Sequence, residues 1–481
     1  MYGMIRWDRV LYAAFATVTL AAGCRTVLDA RRAQDEVAAV GGGASRDKGL
    51  VNLAGFSLEA LVDYALTNRP AMVSAALAVE DARLAMKEIA ADAPVASATP
   101  WNAAHLSASL GYSESSKSAH LSDLKAKTIK GKATGALSLD LLLWDFGRND
   151  ARARAQAENV LAAELTLAQQ GYTVFAEVSA AYFALLQNEA LHEVASSNVV
   201  QYAEHLAQAE DRFEQGEAQK LDVLRAKLDL ARAAESEVAA SNDVVVAGAR
   251  LMAALGVDAS RGDFRSVLGE RPTGLERAMR IFADTDESAK AAFEFARTNA
   301  PSMQVARAKL RAASAQVDYA VADLMPTLSA SLSLNWTDPL WYWRWGLNAA
   351  QSLFTGWRKT TAVDRAVVSM RSADVAVDGE EQALSRSLEV AVAERDNARE
   401  AFRTAEESVR QAKENLDTVV AQYEVGDVSR VEFTDAVSAY AEARGNRVKA
   451  FYRGQAAESA LFELTGREPV YAEERVTEEG L

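Results

Sequence analysis

Cysteine and histidine are scarce in this sequence, which has one cysteine and four histidines among 481 residues. The single cysteine, Cys24, excludes an intramolecular disulfide and a zinc site built from several cysteines. Neighbouring histidines are at least 13 residues apart, so no two of them form the close pair of an HExxH motif. We therefore predict neither a metal site nor a cofactor. The histidines are His105, His120, His192 and His205.

Proline and glycine are also few, and basic residues are fewer than acidic ones. The chain has 8 prolines and 26 glycines, and so few prolines leave room for very long uninterrupted helices. Lysine and arginine number 52 against 67 acidic residues, a formal charge of −15, which argues against a general binder of nucleic acid. With 49% hydrophobic and 25% charged residues, the chain is neither disordered nor a bundle of transmembrane helices.

Recognisable catalytic motifs are absent. The sequence contains no GxSxG, no Walker loop and no GxGxxG followed by an acidic residue. Carboxylate pairs are abundant, but chance produces such pairs on helices this rich in charge. We therefore predict that the protein is not an enzyme.

The first residues have the pattern of a signal peptide. Arg6 and Arg9 precede an apolar run over 10–22, which is too short to span a bilayer as a helix. The run ends in Leu-Ala-Ala-Gly followed by Cys24, which resembles a bacterial lipobox. We predict a lipoprotein signal peptide over 1–23, acylation of Cys24, and a lipid-anchored tether over 24–54. The alternative is an ordinary signal peptide with a chance cysteine.

The body of the chain contains the same sequence pattern twice, as an internal repeat. Thr-Asn-Arg-Pro ends at Pro70, and Thr-Asn-Ala-Pro ends at Pro301, 231 residues later. We expect Asn68 and Asn299 each to cap the helix that follows, and each proline to occupy its first turn.

Beyond Pro94 and Pro326 the hydrophobic period changes from 3.6 to 2, which indicates strands. Residues 327–336 alternate strictly, and Trp341, Trp343 and Trp345 share one face of the next strand. We predict β-hairpins at about 105–145 and about 327–354, with strands of roughly 9–11 residues, the length that a tilted strand needs to cross hydrocarbon. The alternative is a soluble sheet packed on one face, which alternation alone does not distinguish.

Each strand pair is followed by a Gly-Arg signal, which is Gly147-Arg148 in the first copy and Gly356-Trp357-Arg358 in the second, and then by a long helical pattern. Residues 148–256 and 358–466 align at an offset of 210 without a gap, and both carry apolar residues at 4,3 spacing over almost six heptads. Gly216 and Gly426 mark the turns from which a second helix runs back. The patterns predict long helical hairpins at about 147–256 and about 357–466.

The predicted fold is mainly α with a small β part, in the order helix, β-hairpin, long helical hairpin, repeated once. We place the first repeat at 55–262, a linker at 263–286, the second repeat at 287–466 and a tail at 467–481. Four strands cannot close a membrane barrel, since the smallest has about eight. Either the sheet is soluble, or three chains share a barrel of twelve strands with four strands from each.

This plan, with its Asn-x-Pro endings, its Gly-Arg signals and its Phe/Tyr-x-x-Gly turns, resembles the TolC-like outer-membrane efflux proteins over roughly 56–466. The resemblance implies a homotrimer with a shared twelve-stranded β-barrel in the outer membrane and an α-helical barrel in the periplasm. It implies a passive exit duct for efflux or type I secretion, with a periplasmic adaptor (membrane fusion) protein and an inner-membrane pump as partners. The alternative function is that of a periplasmic coiled-coil adaptor or structural protein.

The resemblance also assigns residues. It implies that Glu432 and Asp435 are the acids of a periplasmic gate, where the alternative is a solvated helix face. It implies a closed-state lock between Tyr423 and Asp222, where the alternative for Tyr423 is an ordinary apolar contact. The adaptor would touch the turns at Phe213, Gly216, Tyr423 and Gly426. In a membrane barrel, Trp341, Trp343 and Trp345 would form an interfacial aromatic belt.

Overall fold

The computed structural model describes residues 58–91, 104–113, 132–216, 219–257, 279–280, 288–337, 340–425, 427–467 and 472–473. The predicted signal peptide, Cys24, the tether and Gly426 lie outside these residues, as do nearly all of the linker and most of the tail.

The first repeat contains four helices and two strands within the described residues. In chain order these are α1 (Leu58–Asn68), α2 (Pro70–Ala91), β1 (Ala104–Ser113), β2 (Lys132–Trp144), α3 (Arg148–Glu214) and α4 (Lys220–Leu255). A two-residue strand, β3 (Met279–Arg280), follows and pairs with β6 (Ala472–Glu473) near the end of the chain.

The second repeat has the same order of elements. It runs through α5 (Ala289–Asn299), α6 (Pro301–Ala322), β4 (Thr327–Thr337), β5 (Leu340–Ala350), α7 (Arg358–Val425) and α8 (Arg430–Thr465). α1 and α5 begin 231 residues apart, as α2 and α6 do, and α3 and α7 begin 210 residues apart, as α4 and α8 do. The duplicated plan of helix, β-hairpin and long helical hairpin is confirmed.

The expected capping role of Asn68 and Asn299 is wrong. Each is the last residue of a helix, and its side-chain amide donates back to the carbonyl oxygen four residues earlier, at 2.9 Å in Asn68 and 3.0 Å in Asn299. An N-cap residue needs an extended backbone, and these residues are still helical. The prolines do occupy the first positions of α2 and α6, as expected.

In each repeat, the glycine that ends the last helix lies beside the proline that begins the second helix. Gly256 and Gly466 end α4 and α8 in the left-handed conformation, with φ of 75° and 70°. A Cβ on Gly256 would lie 3.7 Å from Pro70 Cδ, and one on Gly466 would lie 2.8 Å from Pro301 Cδ. Glycine is therefore required at 466 both for backbone conformation and for space.

The described helical residues within 52–86, 154–317 and 364–481 form one compact unit. One apolar cluster contains residues of α1, α3, α4 and α8. A second contains residues of α5, α6, α7 and α8. Among the described helices, α4 is the one with the length and hydropathy of a membrane span. Its buried Leu251 and Leu255 pack in the first of these clusters, so its apolar character has an explanation within the fold.

The second compact unit, over 87–153 and 318–363 of the described chain, contains a single four-stranded antiparallel sheet. The strand order is β1-β2-β4-β5, so the two repeats meet at the pairing of β2 with β4. β1 and β5 are the outer strands, and neither has a partner on its outer side among the residues that the structure describes.

Candidate functional site

The sheet leaves its apolar side chains uncovered. Trp343 lies opposite Leu334 and Trp345 lies opposite Leu332, and the two tryptophans are 68% and 66% exposed. Nearly every residue of β5 is exposed on both faces of the strand. A soluble sheet packed on one face would bury this apolar side, and the described chain does not. An uncovered apolar face on strands of this length suits contact with lipid.

The three tryptophans lie along one strand rather than at one level. Trp341, Trp343 and Trp345 occupy alternate positions of β5, so they extend over about 13 Å of the strand. They therefore line the apolar face of the sheet from near its end to its middle. Their part in an interfacial belt stays a prediction.

Two aromatic pairs follow the strands, and sequence reading gave them no role. Trp144 packs edge-on against Phe146 after β2, and Phe354 packs edge-on against Trp357 after β5, both with ring centroids 6.2 Å apart. All four side chains are exposed. Trp144 and Phe354 occupy equivalent positions at the offset of 210, and the sequence shows a second aromatic residue within three positions after each of them.

The ends of the two long hairpins meet in a second candidate site. We call Tyr202, His205, Leu416, Tyr423, Phe433 and Val437 the hairpin-end cluster; its members come from α3, α7 and α8. The Tyr423 ring stacks on Phe433 with centroids 5.0 Å apart. Arg212 of α3 covers the same tyrosine at 5.0 Å and donates to its carbonyl oxygen at 3.1 Å. The carboxyl-terminal end of α3 is thereby held to that of α7.

Polar contacts tie the hairpins together beside this cluster. Arg430, the first residue of α8, donates to Asp229 of α4 at 2.6 Å, and the two side chains are only 17% and 19% exposed. The hydroxyls of Tyr202 and Ser438 are 3.1 Å apart. The sequence alone does not predict this pair, because its two residues are 201 positions apart in the chain.

The proposed gate acids lie on the exposed side of α8. Glu432 accepts a hydrogen bond from the Ser429 backbone N–H at 2.8 Å and completes a capping box at the start of the helix. Asp435 is exposed one turn later, and Phe433 between them points into the hairpin-end cluster. One chain thus places both acids on the same helical surface. Their role as a gate stays a prediction.

The proposed lock residues are arranged differently from the expectation within one chain. Asp222 occupies the position of Glu432 in the first repeat, and its carboxylate accepts from the Gln219 backbone N–H at 3.3 Å. Within the described chain the Tyr423 hydroxyl donates no hydrogen bond to Asp222. Burial raises the pKa of the Tyr423 phenol, while nearby Arg212 and Arg430 oppose the rise. The lock also stays a prediction.

The turn between α3 and α4 is accessible. Phe213 is exposed, and Gly216 has φ of 77°, the left-handed conformation that the sequence predicts there. The equivalent turn contains Gly426, which lies outside the described residues. The adaptor contact at these turns stays a prediction.

His205 is the most unusual polar residue of the hairpin-end cluster, and sequence reading gave it no role. Its side chain is 1% exposed, and neither ring nitrogen has a hydrogen-bond partner within the described chain. The imidazole lies 4.6 Å from the Phe433 ring and 5.4 Å from the Tyr423 ring. Its apolar surroundings lower the pKa of the His205 imidazole.

A second buried polar group links α7 to α8. Arg399 donates to Glu458 at 3.0 Å, and Glu458 is buried. Burial raises the pKa of this carboxyl, and the nearby Arg399 and Arg395 oppose the rise. Arg395, which interrupts the apolar seam of α7, is itself buried and pairs with Asp396 at 2.8 Å. No cluster of three potential metal ligands occurs among the described residues.

A protein-family model matches most of the chain. The family model described as outer membrane efflux protein matches residues 61–257 and 293–467, one stretch for each repeat. No curated protein sequence matches the chain.

Solved outer-membrane proteins share the fold. The chain is 19% identical to CusC, with a TM-score of 0.72 over 85% of this chain and 91% of that one. It is 18% identical to VceC from Vibrio cholerae, with a TM-score of 0.69 over 85% and 96% of the two chains. It is also 18% identical to the open state of the MtrE channel from Neisseria gonorrhoeae, with a TM-score of 0.69 over 85% and 88%. At such identities the likeness establishes the fold.

Proposed function

This chain belongs to the outer membrane efflux protein family, and we propose that three copies of it form one passive exit duct through the outer membrane. Each copy contributes four strands to a common β-barrel of twelve. The helical hairpins of the three copies form the wall of the periplasmic part of the same duct. The driving force for export comes from a separate pump.

The observation that carries this proposal is the open sheet. Four strands are too few for a barrel, and the outer edges of β1 and β5 have no partner within the described chain. In lipid, each unpaired backbone group costs several kcal/mol, so an open edge is not tolerated there. Twelve strands from three chains satisfy every edge, because the β5 of one copy can pair with the β1 of the next.

The proposed partners meet the helical hairpins. A periplasmic adaptor that joins the duct to an inner-membrane pump would contact the turns at Phe213, Gly216, Tyr423 and Gly426. Phe213 supports this proposal, because it is a large apolar side chain exposed at a hairpin turn. Acylation of Cys24 would add a lipid anchor to the barrel.

Fractionation and electrophoresis test the duct. We expect full-length protein in the outer-membrane fraction, as a trimer that persists in mild detergent and dissociates on heating. We also expect it to open pores in a planar bilayer. Recovery as a water-soluble periplasmic monomer would contradict the proposal and favour a structural or adaptor role instead.

The gate acids have their own test. In a trimer, Glu432 and Asp435 would place six carboxylates around the duct axis, which concentrates cations there. We expect the double substitution Glu432→Gln with Asp435→Asn to weaken block by divalent cations by about tenfold, because the focused negative potential is removed. Single-channel recording at several cation concentrations measures the change.

The matched control removes two exposed acids from the side of α7. Glu394→Gln with Glu400→Gln changes the net charge equally and should leave the block unchanged. If the two double variants conduct alike, Glu432 and Asp435 are not part of the gate.

A further inference from the structure

The buried imidazole of His205 occupies the place where the two helical hairpins join. It belongs to α3 of the first hairpin, and its ring packs on Tyr423 and Phe433 of the second. Both ring nitrogens lack a hydrogen-bond partner within the described chain, so the contacts of the ring there are aromatic packing contacts. A buried imidazole without hydrogen bonds is unusual, because desolvating a polar group without compensation costs free energy.

Every helix at this junction presents a charged or titratable group to His205. Among the described residues these are Arg212 on α3, Asp229 on α4, Tyr423 on α7 and Arg430 on α8. The two arginines disfavour a positive charge on the imidazole, and Asp229 favours one. Asp229 is already paired with Arg430 at 2.6 Å, so its charge is largely balanced.

A proton on His205 would therefore be disfavoured on balance while the helices stay packed, because burial and the two arginines outweigh Asp229. The imidazolium would be a cation in an apolar cluster, with two N–H donors and no acceptor in place. Separation of the helix ends would admit water to both nitrogens. The charged form thus favours the separated arrangement and the neutral form favours the packed one.

We propose that His205 is a pH-sensitive contact between the two helical hairpins, and that protonation of its imidazole drives the ends of α3 and α8 apart. Phe433, which stacks near this imidazole, lies between Glu432 and Asp435 on α8. Movement of Phe433 therefore moves the proposed gate acids with it. This last consequence, an opening of the duct in acid, rests on the proposed function.

The direction of the effect follows from linkage. Burial holds the pKa of His205 below its ordinary value of about 6.5, and a water-exposed imidazole in the separated state titrates near that value. Above about pH 6.5 both states are neutral, and the packed state is fully favoured. Between that value and the lowered pKa, only the separated state gains a proton, so the packed state loses stability as the pH falls through this interval.

Backbone hydrogen exchange of the full-length protein in detergent tests the contact without reference to conduction. Between about pH 7.5 and about pH 5.5, we expect amide protection in 199–213 and 429–440 to fall by up to about tenfold after correction for intrinsic rates, because pH 5.5 lies about one unit below the ordinary imidazole pKa of the separated state. In His205→Phe, which retains an aromatic ring but cannot titrate, protection should stay constant.

The matched control is His192→Phe, the same substitution on the same helix at a half-buried site. It should keep the pH dependence of the wild-type protein. A pH dependence that survives in His205→Phe would overturn the proposal. If that variant does not assemble, His205→Gln replaces it, and slow exchange of the imidazole C2 hydrogen measures the pKa of each histidine in the wild-type protein.

In that measurement the pKa of His205 should lie below the ordinary imidazole value of about 6.5, and an ordinary pKa for His205 would overturn the proposal. The outcome of these experiments does not depend on whether the protein forms the proposed duct. Failure to form trimers or pores at any pH would count against the duct, whereas exchange that does not depend on His205 would count against the pH-sensitive contact.

Discussion

Replacement of Trp345 by arginine should abolish the heat-modifiable trimer of the outer membrane. Trp345 lies near the middle of the eleven-residue strand β5 and is 66% exposed on the apolar face. If this face meets lipid, an arginine at the bilayer midplane costs about 2–4 kcal/mol in each chain. A trimer would carry that penalty three times. In a water-exposed sheet, the same change would be nearly neutral.

The control for this substitution is Tyr342→Arg on the same strand. Tyr342 faces the opposite, polar side together with Arg344, so an arginine there should be tolerated. Electrophoresis of membrane fractions with and without heating compares the two variants. Equal amounts of trimer from both would show that the apolar face does not contact lipid.

The same series tests the aromatic belt. Trp341 lies one residue inside the end of β5, where an arginine at a membrane interface costs only about 0–1 kcal/mol. Trp341→Arg should therefore assemble much better than Trp345→Arg. If it is equally damaging, Trp341 lies deeper than an interfacial belt.

Replacement of Arg430 by alanine should loosen the joined ends of the hairpins and make the resting duct leaky. The substitution leaves the Asp229 carboxylate partly buried without its 2.6 Å partner. An unpaired group of this kind costs about 1–3 kcal/mol. Part of that cost is relieved when the hairpins separate, so we expect the open fraction to rise about tenfold, the equivalent of roughly 1.4 kcal/mol. Open probability in single-channel recordings measures this directly.

The control is Arg232→Ala, because Arg232 is 3.9 Å from the same aspartate but 70% exposed. Exposed ion pairs contribute little, so this variant should behave like the wild-type protein. A second change, Asp229→Ala in the Arg430→Ala background, removes the orphaned charge and should restore part of the closed state. If Arg430→Ala and Arg232→Ala leak equally, the ion pair does not hold the hairpins together.

Local periodicity was enough to predict the elements and their duplication. The starts of α2 and α6 follow from Pro70 and Pro301, since proline is tolerated only in the first turn of a helix. The change from period 3.6 to period 2 identified all four strands of the sheet. The same local reasoning failed at Asn68, because a residue type that suits a cap can equally well end the preceding helix.

The open sheet could be argued from strand number, but its exposure could not. Alternation of apolar and polar residues is the same in a sheet packed in water and in a wall of a membrane barrel. The uncovered side chains of Trp343 and Trp345 in the folded chain favour the membrane wall, and the Trp345→Arg experiment tests it.

The amino-acid sequence by itself determined the helices, the strands, their repetition and the small number of strands in each chain, because these depend on residues only a few positions apart. The tertiary structure alone decided which polar groups meet at the hairpin ends. Arg430 meets Asp229 across 201 residues, and Tyr202 meets Ser438 across 236. Contacts between residues so far apart depend on how whole helices pack, and no local spacing encodes them. The burial of His205 against Tyr423 and Phe433 depends on the same packing.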